Sequence, residues 1–137
     1  MKLFRYRLSS ILICFTVVAL LLGYAQVRRR HLATSFAELK AKGCNAAFED
    51  HWLWPVAPEE AGVTFRECQG DDGYTVEAGG GAAPEFMAIT QVVERFKSLR
   101  AELLKLGVKE VSMFTVRTDP ASGVDVTDSI ALESIGL

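Results

Sequence analysis

Acidic residues are what the first third of this chain lacks most. Leu8–Val27 runs for 20 residues without a charged side chain, and no acid precedes Glu38. Cysteine is scarce as well. Three in 137 residues exclude a small fold stapled by several disulfides, and no C-x-x-C supports a zinc or thioredoxin-like site. Charged residues make up 23% and hydrophobic ones 50%, a balance that excludes a disordered chain. Catalytic signatures are missing too. There is no Gly-Lys-Ser/Thr after the glycine run Gly79–Gly81, and no Gly-x-Ser-x-Gly around any serine.

The net charge of −2 averages two unlike parts. Residues 1–42 hold eight Lys/Arg and one acid, giving +7. Residues 43–137 hold seven Lys/Arg and sixteen acids, giving −9. An acidic C-terminal part disfavours nucleic-acid binding. A helix of 20 residues spans roughly 30 Å, the thickness of a bilayer's hydrocarbon core. Leu8–Val27 therefore predicts a transmembrane anchor, preceded by a basic flank at 1–7, with the lipid bilayer as its partner. Thr16 sits mid-run and can satisfy its hydroxyl on a carbonyl one turn earlier. Tyr6 and Tyr24 stand at the two ends, where aromatic belts occur. Gly23-Tyr24-Ala25 offers a small-x-small pattern for cleavage. Arg28, Arg29 and Arg30 just beyond it resist translocation and favour a retained anchor. Cations flank both ends in similar number, which leaves open the side of the membrane that the C-terminal part occupies.

Residues 28–43 extend the helical pattern. Leu32, Phe36 and Leu39 form one apolar stripe, expected to dock on the domain that follows, with a dimer seam as the alternative, and Gly43 is placed to end the helix. Residues 44–137 read as a small α+β domain. Cys44–Glu49, Val63–Cys68 and Tyr74–Ala78 are expected strands, the last two joined through a turn at Gln69–Gly73. The apolar period from Phe86 to Leu106 predicts a helix from about Pro84. Val108–Thr118 is an expected strand, Asp119–Gly123 a turn, and Val124–Leu137 suits either a strand end or a short helix. The fold class expected is an N-terminal transmembrane helix followed by a small antiparallel sheet of three to four strands with one long packed helix.

The N-terminal pattern carries a resemblance. Phe4-Arg5-Tyr6-Arg7-Leu8-Ser9-Ser10-Ile11-Leu12, an apolar run to Leu20-Leu21-Leu22-Gly23-Tyr24, Arg28-Arg29-Arg30 and a helix closing at Lys42-Gly43 resemble short membrane-anchored proteins of planctomycete bacteria. The resemblance covers residues 4–50 and implies location, with no chemistry. A second likeness, over residues 62–123, is to the ExbD/TolR accessory subunits of envelope transport complexes. It rests on the order of elements and on Arg117 and Asp119, which resemble an arginine-x-aspartate after their helix. Those proteins carry an aspartate in the anchor, and Leu8–Val27 has none.

Candidate sites are few. Trp52 and Trp54 in a proline-bearing loop are expected first to fold inward and cap the open face of the sheet; exposed, they would be candidates for a partner or membrane-interface contact. Cys44 and Cys68 could pair if the domain is extracytoplasmic, and are otherwise buried apolar residues. His51 with Asp50, Asp71 and Asp72 has no spacing that requires a metal, and no cofactor is implied. The sequence thus points to a non-enzymatic membrane-anchored protein that binds another protein or itself.

Overall fold

The computed structural model describes residues 2–46, 54–68, 73–76 and 85–135. One unbroken helix, α1 (Lys2–Ala41), opens the chain. At 1.5 Å per residue it is roughly 60 Å long. From Arg7 to Val27 it is bare except at Ala25. Leu12, Phe15, Leu20, Leu22 and Val27 are each more than half exposed, and Ala25 is the sole buried residue before Leu32 among those whose side chains are described. The Thr16 hydroxyl donates to the Leu12 carbonyl at 2.9 Å, as the sequence suggested. From Leu32 onward the helix changes character. Leu32, Phe36 and Leu39 enter the hydrophobic core. The stripe therefore docks on the domain, and the packed unit begins inside α1. Gly43 ends the helix with φ 97°, a conformation that L side chains rarely adopt.

Six strands follow: β1 (Cys44–Asn45), β2 (Glu60–Glu67), β3 (Tyr74–Val76), β4 (Phe86–Met87), β5 (Glu110–Thr118) and β6 (Asp125–Ile130). A second helix, α2 (Ile89–Lys105), lies between β4 and β5, and a single 3-10 turn (Leu132–Ile135) follows β6. The sheet order is β4-β3-β2-β5-β6, with β1 paired to the front half of β2. All neighbours are antiparallel except β2 and β5, which run parallel with Glu60 opposite Glu110 and Arg66 opposite Val116.

This corrects the expected antiparallel sheet of three to four strands. The α+β class holds, but the sheet is mixed and has six strands. The reason is the length of α2: 17 residues, roughly 25 Å, carry the chain back along the sheet. A strand that follows such a crossover can lie parallel to the one before it. The helix also starts later than its apolar period implies. Phe86 and Met87 pair with Thr75 and Tyr74 as a strand, so Phe86 lies on the sheet and is 56% exposed. Ala88 is extended at φ −69° and ψ 158°, and its N–H donates to Gln91 Oε1 at 3.0 Å, which fixes the start at Ile89. β2 pairs antiparallel with β3 as expected but begins at Glu60, three residues before the expected Val63; β5 begins at Glu110, two residues after Val108; the turn expected at Gln69–Gly73 lies mostly outside the described residues. The ambiguous tail resolves into both alternatives, strand and then 3-10 turn.

The core has one side. Ala61, Val63 and Phe65 of β2, with Val111 and Met113 of β5, face Val92, Phe96, Leu99 and Leu103 of α2 and the α1 stripe. These residues fall at alternate positions on the strands and at three- and four-residue intervals on α2, so each element presents one apolar face to the others. Lys42 and Glu102 join the two helices at 3.1 Å. The opposite face of the sheet has no helix against it among the described residues.

Candidate functional site: the anchor junction and the open sheet face

Two places combine exposure with built geometry. The first is where the domain meets the bare helix. Trp54 lies against α1, its ring centroid 5.8 Å from that of Tyr24 and tilted by 35°. The Arg28 guanidinium carbon sits 5.5 Å from the Trp54 ring centre, within cation–π range. Pro55 next to it is fully buried, whereas Trp54 and Val56 on either side are exposed by 39% and 49%. A buried proline between two outward side chains fixes the direction of both. Trp54 therefore does not cap the sheet; it covers α1 at the last turn of the apolar run. Trp52 lies outside the described residues, as do His51, Asp50, Asp71 and Asp72. Arg29 donates to Gln26 Oε1 at 3.3 Å, and Arg30 is exposed.

The second place is the open face of the sheet. The register puts Gly62, Thr64 and Arg66 of β2 beside Ser112, Phe114 and Val116 of β5, and these beside Ser129 and Thr127 of β6. The Phe114 ring lies across Gly62; a Cβ there would stand 2.9 Å from its Cε2. Glycine is thus required for the ring to lie flat. A recess of about 240 Å³ opens beside it, lined by Asn45, Glu60, Gly62, Ser112 and Phe114. At the far end Arg66 grips Asp125 with two hydrogen bonds, 3.1 and 2.9 Å, and Thr118 donates to the same carboxylate at 2.7 Å. That fork ties β2, β5 and β6 together across the face.

The Arg66 hydrogen bonds, and then that from Thr118, hold the Asp125 carboxyl below the ordinary carboxylate range. A group whose folded pKa is lowered stabilises the fold above its unfolded pKa, and loses that effect as pH falls through the folded value. Asp125→Asn should therefore lower the thermal midpoint most at neutral pH, and the gap from the parent should close on acidification below about pH 4. A gap that stays constant with pH would show that the fork makes no charge-dependent contribution.

Asp119 accepts from the Ala121 N–H at 3.1 Å and from the Ser122 hydroxyl at 2.7 Å, so it shapes the β5–β6 turn. Arg117 of the same motif is exposed.

The two cysteines considered for a disulfide stand apart. Cys44 is opposite Val63, and Cys68 is five residues further along that same chain direction, about 17 Å at strand spacing. Cα atoms more than 7 Å apart cannot be bridged without moving the backbone, and both thiols are free. Burial pushes the Cys44 thiol up to about 11, with Glu102 adding to the rise. A maleimide at pH 7 should modify half-buried Cys68 and spare Cys44 until the chain is denatured, as read by mass spectrometry. Equal labelling of both in the folded protein would contradict this placement.

Among the described residues, no group of three His, Cys, Asp or Glu side chains could hold a metal. A groove of about 380 Å³ along Ser10, Ile11, Cys14, Phe15 and Val18 lies on the bare part of α1. One helix flank cannot enclose a ligand there. Comparison with family models, with curated protein sequences and with solved structures finds no match in any of the three. One N-terminal helix, Arg7–Ala41, is long and apolar enough to span a membrane, with a mean hydropathy of 2.3 and 6% of its most apolar window buried.

Proposed function

We propose that this chain is a single-pass membrane protein whose α+β domain is a non-enzymatic protein-binding module held close against the bilayer. The observation that carries the reading is the continuity of α1. The same unbroken helix bears the bare apolar run and supplies Leu32, Phe36 and Leu39 to the domain core. A rigid helix leaves no linker in which the domain could drift from the membrane surface. Both helices pack on one face of the sheet; among the described residues no helix covers the other face, which carries Phe114, the Arg66–Asp125 fork and the edge strand β6 and is the surface this reading assigns to a partner. An exposed strand edge of six residues offers unpaired backbone groups to another chain.

The test has two parts. Membranes from cells making the full chain are washed with alkaline carbonate; an anchored protein stays in the pellet, and release into the wash would overturn the membrane reading. A photo-reactive amino acid is then placed at Ser112 or Thr127 on the open face, and at Gln91 or Glu94 on the outer side of α2. Discrete adducts with one protein from the first pair only are expected. Adducts from α2 alone would move the binding surface, and none from any position would remove the protein-binding role.

A further inference from the structure

We infer that Trp54 and Val56, with Tyr24 and Arg28 of α1, form a second contact with the bilayer: an interfacial clamp suited to an anionic phospholipid surface. The inference deepens the membrane reading and rests on it. Tyr24 stands in the last turn of the apolar run, which closes at Val27 before three consecutive arginines. Trp54 comes from a loop 30 positions further on, yet its ring is 5.8 Å from that of Tyr24 and 5.5 Å from Arg28. The fold thus returns an indole to the depth at which the span ends.

Chemistry fits that depth. Tryptophan and tyrosine favour the headgroup boundary, where the ring meets acyl chains and the N–H or O–H meets water. Tyr24, Val27 and Trp54 are exposed by 58%, 67% and 39%, an uncovered apolar surface continuous with the anchor, and Val56, two residues beyond Trp54, is exposed by 49%. Pro55 between them is fully buried, so the chain is held to the domain there while Trp54 and Val56 stay exposed. Arg28, Arg29 and Arg30 bring three cations to the same level, and phosphate-bearing anionic headgroups are their natural counterions. A water-soluble protein partner would have to reach this surface through the headgroup layer. The lipid is already there.

The experiment uses the full chain in vesicles of phosphatidylcholine and phosphatidylglycerol. Trp52→Phe leaves Trp54 as the sole tryptophan. Acyl chains brominated at shallow or deep carbons then report its depth by fluorescence quenching. Shallow bromines should quench Trp54 most, and aqueous acrylamide should quench it weakly. Strong acrylamide quenching with no effect of bromine would overturn the clamp. Brominated phosphatidylglycerol should quench at least about twofold more than the same fraction of brominated phosphatidylcholine, because three arginines enrich the anionic lipid locally. Replacing all three arginines by glutamine should equalise the two lipids. Equal quenching in the unsubstituted chain would overturn the anionic preference. If Trp52→Phe fails to fold, the unaltered protein reads both tryptophans together, and absence of bromine quenching there also overturns the clamp.

A separate variant tests the anchor itself. Phe15→Trp, with Trp52 and Trp54 both changed to Phe, should be quenched best by deep bromines. Its failure would overturn the anchor and the clamp together. Deep quenching of this variant without shallow quenching of Trp54 would overturn the clamp alone.

Discussion

A fragment beginning at Cys44 should fail to fold, whereas one beginning at Arg28 should unfold cooperatively. The two differ by the last turns of α1, which contribute Leu32, Phe36 and Leu39 to the core, each no more than 5% exposed. Truncating one such side chain to alanine costs about 2–5 kcal/mol. A domain of this size has about 5–14 kcal/mol of total stability. Loss of all three therefore matches or exceeds everything the remainder holds. The shorter fragment also uncovers core surface that the stripe covers, which favours aggregation. Urea unfolding followed by circular dichroism distinguishes the cases. A cooperative transition in the shorter fragment, at the midpoint of the longer one, would show that the helix only leans on the domain. Membrane attachment and folding would then be separate properties of the chain. As built, the helix that bears the apolar run also completes the core.

That coupling was partly legible in the sequence. The charge-free run, the Leu32–Phe36–Leu39 stripe and the terminal Gly43 each follow from local spacing, and each stands where that spacing puts it. The period along α2 was equally plain from Val92 to Leu103. Its start was not, because Phe86 fits the helical spacing while its backbone is committed to Tyr74–Thr75 in the sheet. Periodicity reports which face a residue shows, and it is silent about which strand lies alongside. The parallel pairing of β2 with β5 depends on where a 17-residue helix returns the chain, a long-range property. The contact of Trp54 with Tyr24 and Arg28 joins positions some 30 apart, with no repeat to announce it. Cys44 and Cys68 looked pairable by position alone; the β1–β2 register separates them.

Two phenylalanines should behave oppositely on substitution, and the contrast bears on the open face. Phe96 is fully buried between α2 and the sheet. Phe96→Ala removes its contacts and leaves a cavity, at a cost of about 3–5 kcal/mol. For a domain near 100 residues this lowers Tm by at least about 12 °C. Phe114 is half-buried, lying over Gly62 on the face that no helix covers among the described residues. Water already reaches one side of its ring, so Phe114→Ala should cost about 1 kcal/mol or less. The same change should nonetheless abolish the photo-adduct formed from Ser112, because it removes the largest apolar side chain beside that position. Differential scanning calorimetry and the cross-linking yield together separate the two effects. Should Phe114→Ala prove as damaging to Tm as Phe96→Ala, the face would be a second core that some part of the chain covers, and a partner would have to bind elsewhere. A small loss of stability with full loss of the adduct assigns Phe114 to recognition. Phe114 would then persist on a solvent-facing strand for what it touches outside the chain.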